Sequence, residues 1–457
     1  MPYESVHQAP NPDRRLADYP FLEALRGRRS RRFGAGMKME GGPLAYQSRF
    51  QPVPLTEAEE AALAFAACGI SGYALADLCY ERGQGGNIVA GLVGRTIASG
   101  DAIQTVSLVV TNDQATYLLK RPQDFAPNDI PELIELGKKG AFDELYQRGR
   151  IKIQDGRTAP PTEPLFNINA NQWSVHAPGS TYFLPIGELT FIYINGLLEI
   201  FNETTGAFIL DERANFQPAG IGRFARSNGG HLEDDPNGGR LATIKHVELM
   251  VAEFVAIEQG MMLQNLGLMT QALGLGGFPN FANHEFGWFN ALGFRMGQMP
   301  ASRYLGANRL TTLGMNLLRR NPIVPYPLGL EQNGHAVLKP YCPPYYRSMT
   351  EAVRAVVEFK FGSEGIFRRQ NRASAWRDSR SVREKIPRLS EYAIEATVAY
   401  CEYIWRRYGR FPAQLAPFRT VVGYQAVHLD VEFYERFYQS EALTETQHAD
   451  FARWKRS

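Results

Sequence analysis

The residues from Ile244 to Leu273 constrain this chain more than any other stretch of it. They carry its longest helical period, with Val247, Met250, Val251, Phe254, Ile257, Met261, Leu263, Leu266, Leu268 and Met269 spread around much of the circumference. A helix apolar on nearly every side is either buried centrally or placed in an interface between chains. Whatever fold the chain adopts must be organised around that segment.

Shorter signals fill in the rest. Thr56 with Glu59 forms a capping box ahead of an Ala-rich helix that stops at Gly69. Ser348 with Glu351 starts a helix to Phe361 that Gly362 closes, and Ser390 starts another to Tyr408, closed by Gly409. Leu16 to Arg26 reads as a short helix, and the β-branched run Thr105 to Thr111 as a strand. Asn195-Gly196, between Leu189–Ile194 and Leu197–Phe201, is a strong hairpin signal. A second turn at Thr205-Gly206 leads to Ala207–Leu210, so a small antiparallel flap is expected there. Ile151–Gly179 and Ser227–Arg240 read as loop. Neither a repeat nor a flexible linker divides the 457 residues, so one large decorated domain is expected.

Composition excludes several classes. Lys+Arg total 49 against Asp+Glu 47, a formal charge of +2, which gives no whole-chain footprint for nucleic acid. No apolar run reaches the roughly 18 residues of a membrane span, and the polar start has no signal-peptide character. The four cysteines, Cys68, Cys79, Cys342 and Cys401, are scattered and suit a reducing compartment. A cytoplasmic protein without membrane or nucleic-acid partners is expected.

Three constellations carry chemical content. Arg28-Arg29-Ser30-Arg31-Arg32 combines guanidinium forks with a hydroxyl, which suits a phosphate monoester. A solvated basic loop or a nucleic-acid arm would look the same. Gly94 to Gln104 is a small-residue turn ahead of the strand, where backbone N–H groups, Asp101 and Gln104 are able to approach a planar ligand; an ordinary loop-to-strand turn is the other reading. At the end of the long helix, Gln264 and Asn265 are amides on an apolar element, and Gly274, Gly276 and Gly277 close it. Those glycines end a helix rather than open one after a strand, so they are not a dinucleotide fingerprint.

In this order the three motifs resemble the FMN-dependent nitroreductase superfamily, over about Leu22 to Glu358. Arg95-Thr96…Ser99-Gly100-Asp101 is nearest to the branch of dehydrogenases that oxidise azolines in peptide natural products. The resemblance implies an α+β fold: a mixed sheet flanked by helices, a long central helix in a homodimer interface, and a β-hairpin insertion. It divides the chain into an N-terminal arm (1–20), a first part of the FMN-binding domain (21–150), an insertion or flap with the hairpin (151–240), a second part (241–367), and a C-terminal extension packed on the core (368–457). It implies FMN as cofactor, NAD(P)H as a candidate electron donor, and hydride transfer through flavin N5 on a small molecule or peptide. Carried over, Arg28, Arg29, Ser30 and Arg32 would hold the ribityl phosphate, and Ser99, Gly100, Asp101 and Gln104 would face the ring or ribityl chain. Leu275, Gly276 and Gly277 would supply backbone contacts, and Arg347, directly before a helix start, a further phosphate contact. Asp101 stands where the family usually has Asn. Lys245-His246 are the nearest counterparts of the branch's Lys-Tyr pair, and no other catalytic side chain is implied. The alternative is a non-catalytic scaffold on the same fold.

One group lies outside the resemblance. His428, Asp430 and Glu432 would share a face if extended, and with His448 would make a metal-ligand set. If the segment is helical they separate, and Phe433, Phe437 and Tyr438 simply pack. No metal is expected.

Overall fold

The computed structural model describes residues 16–78, 87–163, 168–280, 285–369, 373–420 and 422–455. Residues 1–15 of the expected N-terminal arm, and Cys79, lie outside them.

The central sheet is built on β1 (Val106–Thr111), β2 (Ala115–Leu119), β3 (Arg150–Asp155), β4 (Thr181–Glu188), β5 (Gly276–Asn280) and β6 (Gly423–Val427). Their order is β5-β6-β4-β1-β2-β3, with the two-residue segment Phe418–Arg419 also paired to β4. Every neighbouring pair is antiparallel. The α+β class stands, but the expectation of a mixed main sheet is corrected. Parallel strands need a crossover between them, whereas β1 and β2 reverse through three residues and β6 enters against both neighbours. Among the described residues, parallel pairing occurs in a small separate sheet, where 241–243 runs beside 208–210.

The helices that matter are α1 (Glu57–Cys68), α2 (Thr190–Ile200), α3 (Ile244–Leu273), α4 (Met349–Phe361), α5 (Glu391–Tyr408), α6 (Val431–Phe437) and α7 (Glu445–Trp454). The caps fall where the residues put them. Thr56 and Glu59 form the reciprocal box, Ser348 and Ser390 cap α4 and α5, and Gly274 ends α3 at φ 82°. A left-handed residue there favours glycine.

Further sequence expectations give way, among them the loop reading of Ile151–Gly179, which begins within strand β3. The hairpin at Asn195-Gly196 is helix α2 instead. The Asn195 amide donates to the Ile88 carbonyl (2.5 Å) and Asp101 Oδ2 (3.0 Å), and its oxygen accepts from Lys360 Nζ (2.7 Å). Buried in bonds to distant residues, it has no part in a local turn. Stretches expected as additions to the core also form its centre: 151–240 supplies β4, and 368–457 supplies β6, seated between β5 and β4.

Alternation in the strands sorts the core. Val106, Leu108, Val110 and Phe183 join Val251, Val255, Met262 and Leu266 of α3 on one face of the sheet. Val109, Tyr182, Leu184 and Ile186 pack on the other against Trp288, Phe289, Phe294 and Phe418. The helix approaches β4 so closely that a Cβ on Gly187 would lie 2.2 Å from Val255 Cγ1. One side of α3 is thus fully buried, while Leu249, Phe254 and Ile257 remain exposed along another.

Candidate functional site

The arginine loop crosses the outer edge of the sheet, where Arg31 bridges to Gly277 of β5 and Gly34 to Leu429. Its side chains then divide. Arg31 turns inward and is buried, its Nε donating to Ala442 O (2.7 Å) and its other nitrogens to Gln271 Oε1 (2.9 Å) and Gly27 O (3.1 Å). Arg32 donates to Asn171 Oδ1 (2.7 Å) and Ser174 Oγ (3.1 Å), with its guanidinium 4.3 Å from the Phe278 ring and 5.0 Å from Trp173. Burial pushes both guanidinium pKa values down from their ordinary range. Arg32 Nε is buried with no hydrogen-bond partner. Among the described residues, no carboxylate pairs with Arg28, Arg29, Arg31 or Arg32.

Arg29, Ser30 and Arg32 line a cleft of about 660 Å³. Its other walls are aromatic: Trp173 from the loop before β4, and Phe433, Tyr434 and Tyr438 from the C-terminal part of the chain, with Glu441 also in the lining. Phe33 stacks on Phe433 with ring centroids 4.1 Å apart, and the Phe33 N–H donates to Tyr434 Oη at 3.0 Å, which fixes the loop against that wall. Uncompensated guanidiniums beside flat apolar rings suit a ligand that is both anionic and planar.

The other predicted site residues are placed as follows. Arg28 lies on the α3 side of the loop, its Cδ 3.4 Å from the position of a Cβ on Gly267. The backbones of Gly276 and Gly277 are committed to pairing with Val427 and Ala426. A Cβ on Gly277 would strike the Tyr424 ring and one on Gly276 would strike Leu429, so both glycines make room for the protein's own side chains. Leu275 is buried in the core.

Ser99, Gly100, Asp101 and Gln104 gather elsewhere. Ser99 Oγ donates to Glu258 Oε2 (2.8 Å) and accepts from the Gln104 N–H (2.8 Å). The Gln104 amide is held by Arg95 and by the Val93 carbonyl. Gly100 packs over Ile192 and Phe254. Asp101 adopts φ 55°, a strained value for a residue with a side chain, and burial pushes its pKa up to about 6 beside Asn195 and Lys360. Burial in turn pushes Lys360 down to about 7. Glu258 and Gln271 lie about 20 Å apart along α3, so this group does not border the arginine cleft; Ala102, Ile103 and Gln104 open instead on a separate cavity of about 250 Å³ with Arg121, Lys339 and Tyr341.

Lys245 and His246 are exposed at the N-terminus of α3, roughly 33 Å along the helix from Gly267. Arg347 belongs to the start of α4, where its N–H donates to Glu351 (2.7 Å). Neither group is joined to the arginine cleft by a described contact.

The His428 set is rearranged as well. Asp430 caps α6 through the Phe433 N–H, Glu432 pairs with Arg49 and Lys455, and His448 faces Glu435 at 3.9 Å. His428 instead sits between Glu59 Oε2 (3.3 Å) and Asp450 Oδ2 (2.8 Å), with Arg453 bridging the two carboxylates. Two anions meet two cations, so the cluster is charge-balanced as it stands. The aromatic wall of the cleft was the feature hardest to read from sequence. Its only signal is the density of rings from Phe433 to Tyr438, which also reads as packing.

No protein-family model matches the chain, and no curated protein sequence does. Among solved structures it is similar to a protein assigned as a nitroreductase from Ralstonia eutropha JMP134, with 12% identity, 64% of this chain and 80% of that chain covered, and a TM-score of 0.29.

Proposed function

We propose that the arginine cleft binds FMN and that the chain is an FMN-dependent oxidoreductase acting on a small molecule or peptide. The observation that carries this reading is the set of carboxylate-free arginines, with the unpartnered Arg32 Nε among them, facing a cleft walled by aromatic rings. Those donors fit a phosphate monoester, and the rings fit a flat heterocycle. Arg29 and Ser30 would hold the phosphate, Arg32 would donate to a polar ring edge, and the aromatic wall would exclude water. Bound there, the flavin would supply hydride transfer through N5, with NAD(P)H as a candidate donor.

Flavin titration tests it. Charge-assisted hydrogen bonds contribute about 1.5–3 kcal/mol each. Losing two in Arg29→Ala should therefore weaken FMN binding roughly a hundredfold or more, with the fold intact because the side chain is exposed. Riboflavin, which lacks the phosphate, should bind both proteins equally poorly. Unchanged FMN affinity in Arg29→Ala would reduce the loop to a solvated basic face.

We also propose a homodimer through α3, supported by the exposed Leu249, Phe254 and Ile257 on its outer side. Such an interface typically buries 2,000 Å² or more. Sedimentation should give a dimer at micromolar concentration, and Ile257→Glu should shift it toward monomer. A wild-type monomer would remove this placement of α3.

A second reading has its own support. Ser99 and Gln104 are spent on internal bonds, and Lys245 and His246 stand far from the cleft, as in a scaffold that has kept the fold and lost turnover. Reduction of bound flavin by NAD(P)H separates the two readings.

A further inference from the structure

Residues 295–300 and 323–332 pair as a long antiparallel hairpin, and the chain between them forms an arm. The arm is rooted where Arg410 donates to the Tyr304 carbonyl (2.8 Å) and stacks 3.7 Å over the Tyr304 ring. Its helix Arg309–Leu317 buries no residue at all. Leu310, Leu313 and Leu317 recur at the spacing that sets them on one face, and Leu310 and Leu317 are 82% and 75% exposed. Leu318 and Ile323, close by in sequence, are exposed as well. Soluble proteins rarely leave so much contiguous aliphatic surface uncovered without a partner for it.

Charge says what kind of partner. From Phe286 to Leu330 the chain has five arginines and neither Asp nor Glu, in a protein otherwise almost neutral. Arg309, Arg319 and Arg320 are exposed at the two ends of the leucine face, and no described carboxylate pairs with them. Several polar groups of the arm bond one another. Asn308 caps the helix at Thr311 (2.8 Å) and accepts from Thr312 (2.9 Å), while Asn321 donates to Asn316 (2.6 Å). Leucines and guanidiniums dominate the exposed surface that is left to make contact.

We infer that this arm docks on an anionic membrane surface, the leucines entering the headgroup–acyl boundary and the arginines meeting lipid phosphates. Such docking is peripheral; no described helix is long and apolar enough to cross a bilayer. It uses the combination of a short apolar face and basic flanks that favours interfacial binding.

The test is co-sedimentation of the full chain with vesicles of about seven parts phosphatidylcholine to three of phosphatidylserine, against pure phosphatidylcholine, at low and raised salt. Binding to the anionic vesicles alone, weakened by salt, is expected. Arg309→Gln/Arg319→Gln/Arg320→Gln should lower it roughly a hundredfold, at about fivefold per arginine, and Leu310→Glu/Leu317→Glu should abolish it. These side chains are exposed, so circular dichroism should show both variants folded. Absence of binding to anionic vesicles, or binding that survives Leu310→Glu/Leu317→Glu, overturns the proposal. So does a wild-type dimer that ignores vesicles and dissociates in the leucine variant, which would make a second copy the occupant.

Discussion

Arg95→Ala should destabilise the protein by about 3–5 kcal/mol, the typical cost of stripping one partner from a buried ion pair. Both members of the Arg95–Glu258 pair are almost fully inaccessible. Arg95 also donates to Gln104 Oε1 (2.6 Å) and the Val106 carbonyl (2.9 Å), and Glu258 accepts from Ser99, Thr105 and the Val106 N–H. Without the guanidinium, a carboxylate stays in the core between α3 and β1 with neutral donors only. Denaturant unfolding of the variant measures the loss. Arg95→Met with Glu258→Leu should recover most of it, since two apolar side chains leave no stranded charge. A loss below about 1 kcal/mol in Arg95→Ala would mean water reaches the carboxylate and the brace is not a brace.

A comparable loss is expected for His428→Ala, again about 3–5 kcal/mol because Glu59 and Asp450 lose the cation between them. Burial opposes the charge on His428, yet its bonds to Asp450 and Glu59 push the pKa up to about 9 from an ordinary 6.5. Burial likewise opposes the charge on Glu59, and His428 with its other donors outweighs this, bringing it down to about 2 from 4.5. A raised histidine contributes fully below its unfolded value and fades as pH climbs through the folded one. The histidine contribution is therefore complete below pH 6.5 and gone above about 9. The Glu59 contribution is complete above pH 4.5 and disappears toward about 2. Together they put the strongest clamp between pH 4.5 and 6.5. Thermal melts across pH should show the gap between wild type and His428→Ala narrowing from pH 6.5 to 9; a gap that stays level over that range would mean the imidazole is already neutral in the fold.

Local chemistry was legible wherever neighbours in sequence decide the structure. The Thr56–Glu59 box, the Ser348 and Ser390 caps and the Gly274 and Gly409 stops are each settled within a few residues, and α3 has the bounds its period implied. Asn195-Gly196 was misleading because its answer lies in Asp101 and Lys360, each more than ninety residues away. In the turn from Arg95 to Gln104, Arg95 and Ser99 bond Glu258 while Asp101 meets Asn195, and only the fold brings those distant partners to them. The arginine side of the cleft could be read in one glance at Arg28–Arg32. Its aromatic side could not, since Phe33 and Phe433 meet across four hundred residues of chain.

The position of β6 sets a timetable for synthesis. Gly423–Val427 closes the gap between β5 and β4, so a nascent chain that has emerged only as far as residue 420 leaves each of these strands with an unsatisfied edge. Exposed edges of that kind recruit other chains, and domains in general tend to fold as units while the ribosome is still adding residues. Here the sheet is sealed only after more than nine-tenths of the sequence given has been translated. Until then, polysomes would crowd sticky intermediates together. Chaperone dependence in the cell, and recovery of soluble protein when translation is slowed or cooled, are what such late closure entails.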